Sequence, residues 1–191
     1  MIYHPKDKLF YATKLVDLVS PKNRDYPMWE ASSLGSKGIN DISTDLDTHA
    51  WLGYLKGEEF YIRREDLAEE HMLFTYSGIE QVDFTFDQAM RPVAVFVSQG
   101  LAYIYSFKDT KFEITSLDSS IKFPRLDLDY KKLIAMPDSD IILGYINEGK
   151  LCYRMQRDRY TIEYVIANDP TKSMLWRVGQ TVDGRFGFHW R

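Results

Sequence analysis

Cysteine is almost absent from this chain, which carries a single one at position 152. One cysteine excludes an intrachain disulfide and any zinc site built from several cysteines. Cys152 lies between Leu151 and Tyr153 in a β-type segment, and a nucleophilic thiol would need a neighbouring base. The four histidines are scattered and none is near it: His4, His49, His71 and His189. The pattern favours a small, inert strand residue.

Long apolar runs and an excess of positive charge are also missing. The apolar runs are far shorter than the 18 or more residues that indicate a membrane span. Residues 1–8 are polar and precede no apolar stretch of the right length, so they do not predict a signal peptide, and we expect a chain made and kept in a cytoplasm. The net charge of −4 and the pI of about 5.6 argue against general nucleic-acid binding, which depends on a basic field.

Positive charge is concentrated only near the end of the chain. On a continuous strand alternate residues face opposite sides, so Arg157 and Arg159 would share one face and Arg154 the other. This arrangement favours a solvated face or a set of interface ion pairs over a phosphate site. The arginines concerned are Arg154, Arg157, Arg159, Arg177, Arg185 and Arg191.

Motifs for catalysis and phosphate binding are lacking as well. The sequence LGSKG at 34–38 has the residue types of a phosphate loop, but not its spacing, its following Ser or Thr, or its strand-to-helix context. Neither HExxH nor GxSxG occurs, and no histidines are paired at helical ligand spacing. We therefore predict no catalytic, cofactor-binding or metal-ligating residue, no cofactor and no enzymatic activity.

Two groups of aspartates supply the oxygen atoms that calcium prefers. One comprises Asp41, Asp45 and Asp47, and the other comprises Asp127 and Asp129, whose carboxylates would share one side of a strand. Neither group has the glycine turn and downstream glutamate of an EF-hand loop, so solvent-facing acids are the favoured interpretation. The 28 acidic residues also leave a glycosidase carboxylate pair open, but the sequence selects no particular pair.

What the chain does contain is a repeated β unit. An apolar run, a glycine turn and an aromatic-rich return strand occur at residues 52–64, 93–107 and 143–157. The turn glycines are 43 and 49 residues apart, within the range of about 40–50 residues for a four-stranded propeller blade. A chain of 191 residues holds about three or four such units, whereas a closed propeller has about 4–8 blades. We expect either sheets that stack without closing or copies of the chain that complete the structure together.

The first and third units share residues as well as a pattern. Leu52-Gly53-Tyr54 matches Leu143-Gly144-Tyr145, and Tyr61-Ile62-Arg63 matches Cys152-Tyr153-Arg154 if the later turn is one residue longer. This match indicates descent from one blade-like unit.

The alternation of strands and turns predicts a mainly β fold of repeated antiparallel hairpins, arranged as blade-like or sandwich-like sheets. Residues 65–72 have local helical propensity, although a loop fits them equally well. A C-terminal hairpin is expected from 175–178 and 182–186, around the type I′ dipeptide Asp183-Gly184. Further strands are expected at Ile79–Phe86, Phe112–Leu117, Lys131–Met136 and Arg159–Ile166.

The N-terminal part of the chain reads differently. Residues 1–48 are predicted to form an irregular arm or attachment segment, and residues 49–191 the β-rich domain. Residues 8–19 fit either a short amphipathic helix or a strand pair, and turn formers follow without a sustained period. Large apolar side chains are normally buried, and a neighbouring subunit would provide that burial. Those in the arm are Phe10, Tyr11, Tyr26, Met28 and Trp29.

Two stretches resemble β-rich structural proteins of tailed bacteriophages, in tail-fibre or tail-associated components. They are SDIILGY at 139–145 continuing into LCYRMQRDRYTIEY at 151–164, and FDQAMRPVAVF at 86–96. The resemblance covers about residues 80–191 and carries no catalytic residue. It implies a non-enzymatic structural component of the virion, assembled in the host cytoplasm and placed in the tail, at a fibre attachment, collar or tail tip.

The resemblance also implies the partners of the chain. They are other copies of itself and other virion tail proteins, with no nucleic acid and no membrane span. The alternative is a carbohydrate-binding or glycan-processing domain in host recognition, with a host glycan as its partner. That alternative requires exposed aromatic side chains, whereas assembly requires the same side chains to be buried. The candidates are Tyr54, Tyr103, Tyr105, Tyr145 and Tyr153.

Overall fold

The computed structural model describes residues 2–4, 9–16, 48–64, 67–87, 91–118, 120–129, 140–180 and 186–190. These residues form fifteen strands and one short 3₁₀ helix, Gln156–Asp158, and they contain no α-helix. All the strand pairs within them are antiparallel. The predicted mainly β fold of antiparallel hairpins is confirmed.

The strands form four sheets, and in every sheet each strand hydrogen-bonds to the next one along the chain. Sheet I contains β1 (Ile2–His4), β2 (Leu9–Val16), β3 (Thr48–Lys56), β4 (Glu59–Arg64) and β5 (Glu70–Thr75). Sheet II contains β6 (Ile79–Phe86), β7 (Pro92–Ser98), β8 (Leu101–Lys108) and β9 (Lys111–Ser116). Sheet III contains β10 (Lys122–Asp129), β11 (Asp140–Asn147), β12 (Lys150–Met155) and β13 (Tyr164–Asn168). Sheet IV contains β14 (Leu175–Gln180) and β15 (Phe186–Trp190).

The three predicted hairpins are the central strand pairs of sheets I, II and III. In all three hairpins a two-residue turn joins the paired strands. A shift of 91 residues therefore maps β3 and β4 onto β11 and β12. The prediction of an extra residue in the later turn is wrong, because the two turns have equal length and differ only in the position of the glycine. Gly57 is the first of its two turn residues, whereas Gly149 is the second. Glu148 and Gly149 have φ of 49° and 79°, the left-handed values that a type I′ turn requires.

Several other sequence predictions need correction. The segment with helical propensity overlaps the start of strand β5, in which His71 is half-buried and Leu73 and Phe74 are buried. The strand predicted at 159–166 begins only at Tyr164, since Arg159 and Tyr160 have left-handed φ values of 52° and 58° and cannot continue a strand. The proposed alternation of the arginines along that strand is therefore wrong. Strand β10 was not predicted.

The remaining elements compare closely with their predictions. Strand β6 has the predicted bounds, and β9 is displaced by one residue. The C-terminal hairpin forms from β14 and β15, and residues 182–185 of its predicted return strand lie outside the described residues. The predicted turn Asp183-Gly184 and the predicted strand Lys131–Met136 lie outside the described residues.

Part of the predicted N-terminal arm belongs to sheet I. Residues 9–16 form strand β2, which pairs with β3, and residues 2–4 form β1 on its other side. Of the two alternatives for residues 8–19, the described part is therefore strand. The other residues of the arm before Thr48, including Tyr26, Met28 and Trp29, lie outside the described part of the chain.

Each of sheets II, III and IV contacts the preceding sheet through its own first strand. Strand β6 contacts β2 and β10, and β10 contacts β14. Aromatic rings fill the space between sheets I and II. The centre of the Phe74 ring lies 4.9 Å from that of Phe96 and 5.1 Å from that of Tyr105. Sheets II and III are joined by a buried hydrogen bond of 2.7 Å from the Leu126 N–H to the Asp83 carboxylate.

Two glycines allow these sheets to approach closely. A Cβ atom on Gly53 of β3 would lie 2.6 Å from the ring of Phe84 in sheet II. A Cβ atom on Gly144 of β11 would lie 3.1 Å from Leu175 in sheet IV. Phe84 and Leu175 are also 91 residues apart. The shift that superposes sheet I on sheet III therefore also relates the first strand of sheet II to that of sheet IV.

Candidate functional site

A cluster of polar side chains at Glu163 fastens the last strand of sheet III to the middle of that sheet. The Tyr145 hydroxyl donates to Glu163 Oε2 at 2.6 Å, and Asn147 Nδ2 donates to the same atom at 3.1 Å. Arg154 Nε donates to the Tyr145 hydroxyl at 2.8 Å, and its Nη1 donates to the Tyr160 carbonyl at 3.0 Å. We call these residues the Glu163 cluster.

Arg154 also connects this cluster to sheet II. Its Nη2 forms an ion pair with Asp118, which lies between β9 and β10, and approaches Glu163 Oε2 at 3.8 Å. The Arg154 side chain is only 10% exposed, so three bonded acceptors compensate for the loss of its hydration. The sequence favoured a solvated face or a set of interface ion pairs for Arg154, and the structure places it in ion pairs inside the fold.

Sheet I contains an equivalent cluster at Glu70. Lys56 forms an ion pair with Glu70, and Arg63 Nη1 donates to the Leu67 carbonyl at 3.3 Å. The Tyr54 hydroxyl is buried beside Glu70, without a hydrogen bond of normal geometry in the described residues. Three of these positions recur 91 residues later in the Glu163 cluster. They are Tyr54 and Tyr145, Lys56 and Asn147, and Arg63 and Arg154. In both clusters the carbonyl acceptor lies three residues before the glutamate.

Sheet II has apolar residues at the corresponding positions. Phe96 takes the position of the tyrosine, three residues before the turn, and Tyr105 takes that of the arginine, five residues after it. Ile114, which pairs with Tyr105, takes the position of the glutamate. Phe96 and Tyr105 are buried and stack against neighbouring rings. Because the same position is polar in sheets I and III and apolar in sheet II, we interpret the clusters as structural fasteners.

The electrostatics of the Glu163 cluster agree with a structural role. Burial opposes ionisation of Glu163, but hydrogen bonds from Tyr145 and Asn147 and the charge of Arg154 outweigh it, so the pKa of Glu163 is lowered. Burial, followed by the hydrogen bond to Glu163, raises the pKa of the Tyr145 hydroxyl. Both groups are thereby held in their ordinary charge states at neutral pH.

Cys152 is fully buried in the core. Burial and the nearby Glu163 raise the pKa of its thiol to about 11, so the thiolate that would act as a nucleophile is scarce at neutral pH. This environment fits the predicted inert strand residue.

Among the other C-terminal arginines, only Arg157 and Arg159 have side chains within the described residues. Arg157 donates from Nε to Asp140 at 2.5 Å and from its backbone N–H to the same carboxylate at 3.0 Å. Arg159 is exposed. The side chain of Arg177 and all of Arg185 and Arg191 lie outside the described part of the chain.

Only some of the aspartates considered as calcium ligands lie within the described residues. Asp127 and Asp129 are half-buried on β10, and the Asp127 carboxylate accepts the N–H of Leu128 at 2.8 Å. Asp41, Asp45 and Asp47, like the LGSKG segment at 34–38, lie outside the described residues. Within the residues that are described, no three His, Cys, Asp or Glu side chains are grouped closely enough to hold a metal ion.

The five tyrosines considered for stacking on sugar rings are all covered to a large extent. Tyr105 and Tyr145 are buried, and the other three are half-buried. Tyr54 stacks on Tyr61, Tyr103 stacks on Phe96, and Tyr153 stacks on Tyr164. These tyrosines therefore do not form the open aromatic platform that the glycan-binding alternative requires.

A cleft of about 540 Å³ lies between sheets II and III. Lys108 and Arg159 contribute positive charge to its lining, and Asp109 and Asp118 contribute negative charge. Arg154 also lines it, but its guanidinium is already engaged by Asp118 and the Glu163 cluster. The mixture of both signs selects no class of charged ligand.

The two most exposed large apolar residues in the described part of the chain, Val165 and Ile162, lie at the outer edge of sheet III. Val165 is 56% exposed and Ile166 is 43% exposed, and Ile162, just before the strand, is 48% exposed. Val165 and Ile166 belong to β13 (Tyr164–Asn168), which pairs with β12 on one side and with no described strand on the other. We call β13 with Ile162 the β13 edge. Sequence reasoning missed it, although the uncharged run from Tyr164 to Asn168 was a usable signal.

The outer edges of sheets I and II differ from the β13 edge in their charge. Strand β9 contains Lys111 and Glu113, which form an ion pair at 3.1 Å. Strand β5 begins with Glu70, which forms an ion pair with Lys56 of β3. Charged residues at sheet edges discourage pairing with other chains. Strand β13 contains neither a charged residue nor a proline. Of the outer edges of sheets I, II and III, it is the one without a charged residue, and its pairing with β12 shifts register opposite Ile166.

Comparisons with protein-family models, curated proteins and solved structures give no match for this chain. The described residues contain no helix long and apolar enough to cross a membrane. The functional assignment therefore depends on the geometry of the chain and on its sequence.

Proposed function

We propose that this protein is a non-enzymatic structural component that acts by protein–protein assembly, and that the assembly is the tail of a bacteriophage. The observation that supports assembly is the β13 edge, where two consecutive strand residues, Val165 and Ile166, expose large apolar side chains. Exposed apolar patches on a folded chain are typical of interaction surfaces.

The disposition of polar groups supports a structural role for the rest of the chain. Three buried charges are engaged in bonds within the chain. Asp83 accepts from Leu126 of the next sheet, Arg154 donates to Tyr145 of the neighbouring strand, and Asp140 accepts from Arg157 of the 3₁₀ helix. These bonds stiffen a scaffold, and a stiff scaffold presents its edge strands in a fixed geometry to a partner. The proposed partners are other copies of the chain and other tail proteins.

Placement in a phage tail rests on the sequence resemblance of residues 80–191. Within the tail, a fibre attachment, a collar or the tail tip suits a chain of this length. The proposed location is accordingly the virion, after assembly in the host cytoplasm.

Mass spectrometry of purified particles tests this placement. Virions of the phage that encodes the chain are purified on a density gradient, washed in high salt, and quantified peptide by peptide against a known tail protein. We expect the chain at a fixed ratio to that protein before and after the wash. A replication protein from the same infection is the control for contamination. Recovery of the chain only in the particle-free lysate, together with the control, would contradict the proposal.

A further inference from the structure

We propose that the outer edge of β15 receives a strand from a partner protein, which takes the place that β8 has in sheet II and covers Ile166. The partner segment is extended, with aromatic or large apolar side chains at alternate positions and polar side chains between them. The inference rests on the proposed assembly function and states the chemistry of one partner in that assembly.

Sheet IV corresponds to the first half of sheet II. Gly53 of sheet I approaches Phe84 of β6. The equivalent Gly144 of sheet III approaches Leu175 of β14. In the hairpins β6–β7 and β14–β15 alike, five residues separate the last paired positions. Sheet II continues with β8 and β9, whereas β15 pairs with no described strand on its outer side. Within the described residues, sheet IV therefore lacks the counterparts of β8 and β9.

The burial of β15 reflects this difference. All seven residues of β7, which lies between β6 and β8, are buried. In β15 (Phe186–Trp190) four residues are half-buried and His189 is exposed. The strand contains no Lys, Arg, Asp, Glu or Pro, the residues that discourage pairing at a sheet edge. Its outer N–H and C=O groups can therefore accept an added strand.

Ile166 marks the place that such a strand would cover. The outer strands of sheets I and III shift register at equivalent points, where the extra residue is Leu73 in β5 and Ile166 in β13. Leu73 is 7% exposed, whereas Ile166 is 43% exposed. The following residues differ in the same direction, since Phe74 is buried and Ala167 is half-buried. The same position of the repeat is thus closed in sheet I and open in sheet III.

In the closed copy, β8 provides part of the cover. The ring centre of Phe74 lies 5.1 Å from that of Tyr105 on β8. The ring centre of Tyr76, just after β5, lies 4.8 Å from that of Tyr103 on the same strand. Because sheet IV lacks a third described strand, no counterpart of these two tyrosines faces Ile166.

The pattern of β8 defines the segment that fits. Tyr103 and Tyr105 are alternate residues that face sheet I, whereas Ala102 and Ile104 are buried on the opposite face of sheet II. In sheet IV the opposite face carries the exposed His189. A strand in the place of β8 therefore needs bulky apolar side chains towards sheet III and polar side chains away from it.

A second copy of β15 does not suit this edge. Sheet III packs on the face of sheet IV that carries Phe188, whose ring centre lies 6.0 Å from that of Tyr153. Two-fold antiparallel pairing of β15 would keep this face on the same side in both copies. The joined sheet would have four strands, the width of one copy of sheet III, and two copies of sheet III would compete for it. The strand is therefore assigned to another protein of the assembly.

Titration with a synthetic peptide tests the proposal. The probe has the sequence of β8, Leu101–Lys108, with Ala102→Thr and Ile104→Thr to make the outward side chains polar, and its ends are acetylated and amidated. Fluorescence anisotropy of the labelled peptide measures binding, and hydrogen exchange with mass spectrometry locates it. We expect saturable binding that slows amide exchange in residues 186–190 but not in 164–168. A control peptide with threonine also at Tyr103 and Tyr105 should bind at least about 10-fold more weakly.

Two lysine variants of the protein form a matched pair. Ile166→Lys should weaken binding of the probe at least about 10-fold, because the peptide would bury this side chain. Val165 is the more exposed of the two, at 56%, and it corresponds to Met72, which is 47% exposed although sheet II is complete. Val165→Lys should therefore bind the probe as wild type does.

Three outcomes would overturn the inference. They are the absence of saturable binding at any soluble concentration of the probe, slowed exchange at 164–168 instead of 186–190, and equal affinities of Ile166→Lys and wild type. Exchange at 186–190 that is already slow in the chain alone, and slower at higher chain concentration, would overturn the choice of partner in favour of a second copy.

These outcomes leave the tail placement standing if the chain is found in purified particles. Conversely, absence from particles contradicts the tail placement even where the probe binds at β15.

Discussion

The close approach of sheets I and II predicts that Gly53→Ala destabilises the protein. The added Cβ would lie 2.6 Å and 2.9 Å from two carbon atoms of the Phe84 ring and 2.9 Å from the Phe60 ring. Both rings are at most 1% exposed, so neither can move out into solvent. Overpacking of this kind costs about 1–3 kcal/mol, and contacts this short place the cost near about 3 kcal/mol.

Alanine also restricts the unfolded chain, which stabilises the folded state by about 0.4–1 kcal/mol. The expected net loss for Gly53→Ala is therefore about 2 kcal/mol. At about 2–4 °C per kcal/mol for a chain of this size, Tm falls by about 4–8 °C.

Gly144→Ala is the matched comparison, because Gly144 is the equivalent residue in sheet III. Its Cβ would lie 3.0 Å from the Phe188 ring and 3.1 Å from Leu175, and Phe188 is only half-buried and can yield. Here the overpacking cost of about 1 kcal/mol is nearly offset by the unfolded-state effect, so the net change is close to zero.

Urea unfolding followed by tryptophan fluorescence, with calorimetry for Tm, measures both variants. The order of stability should be wild type and Gly144→Ala together, then Gly53→Ala. Phe84→Leu should partly relieve the Gly53→Ala loss in a double-mutant cycle, since it removes the ring atoms that the new Cβ meets. Equal stability of Gly53→Ala and wild type would refute the close packing of sheets I and II.

Three further predictions concern buried titratable groups. Asp83→Ala should be less stable than Asp83→Asn by about 1–3 kcal/mol in urea unfolding, because only the asparagine keeps an acceptor for the buried Leu126 N–H; equal stabilities would contradict that bond. The folded-state pKa of Glu163 is lowered, so its stabilising contribution is present above the ordinary value of 4.5 and is lost as pH falls through the folded pKa. Urea midpoints from about pH 6 to about pH 3 should therefore fall more steeply for wild type than for Glu163→Gln, and parallel curves would count against the Glu163 cluster. Cys152 is fully buried and its pKa is raised by that burial, so at pH 8 iodoacetamide should label the native thiol much more slowly than the urea-unfolded one, whereas similar rates would show an accessible thiol.

The repeated hairpins could be predicted because their signal is local. Alternating apolar residues around a two-residue turn define strand pairing over short distances, and β3–β4, β7–β8 and β11–β12 all formed as expected. The fold class followed from these hairpins.

The errors occurred where contacts made only in the folded chain override local preference. The segment from Arg159 has β-type residues, but the Tyr160 carbonyl accepts from Arg154, and the backbone turns there with left-handed φ. Strand β10 has alternating charges that resemble a loop, but Leu126 and Leu128 are buried between sheets and Asp83 caps the Leu126 N–H.

The candidate site was not predicted at all, and the reason is physical. Exposure of Val165 and Ile166 depends on β13 being the last strand of its sheet, which no local pattern specifies. The Glu163 cluster likewise joins residues from three separate segments. Its counterpart in sheet I becomes visible only once the strand register shows that the two hairpins have turns of equal length.

The simple order of the strands has a consequence for synthesis on the ribosome. Every hydrogen-bonded strand pair in the described residues joins neighbours along the chain, so each sheet can form as soon as its own residues have emerged. The face of a newly formed sheet then stays open until the next one arrives, as Phe74 does until Phe96 and Tyr105 are made. A pause in translation once Thr75 has emerged from the ribosome would prolong that exposure and favour misassociation between nascent chains.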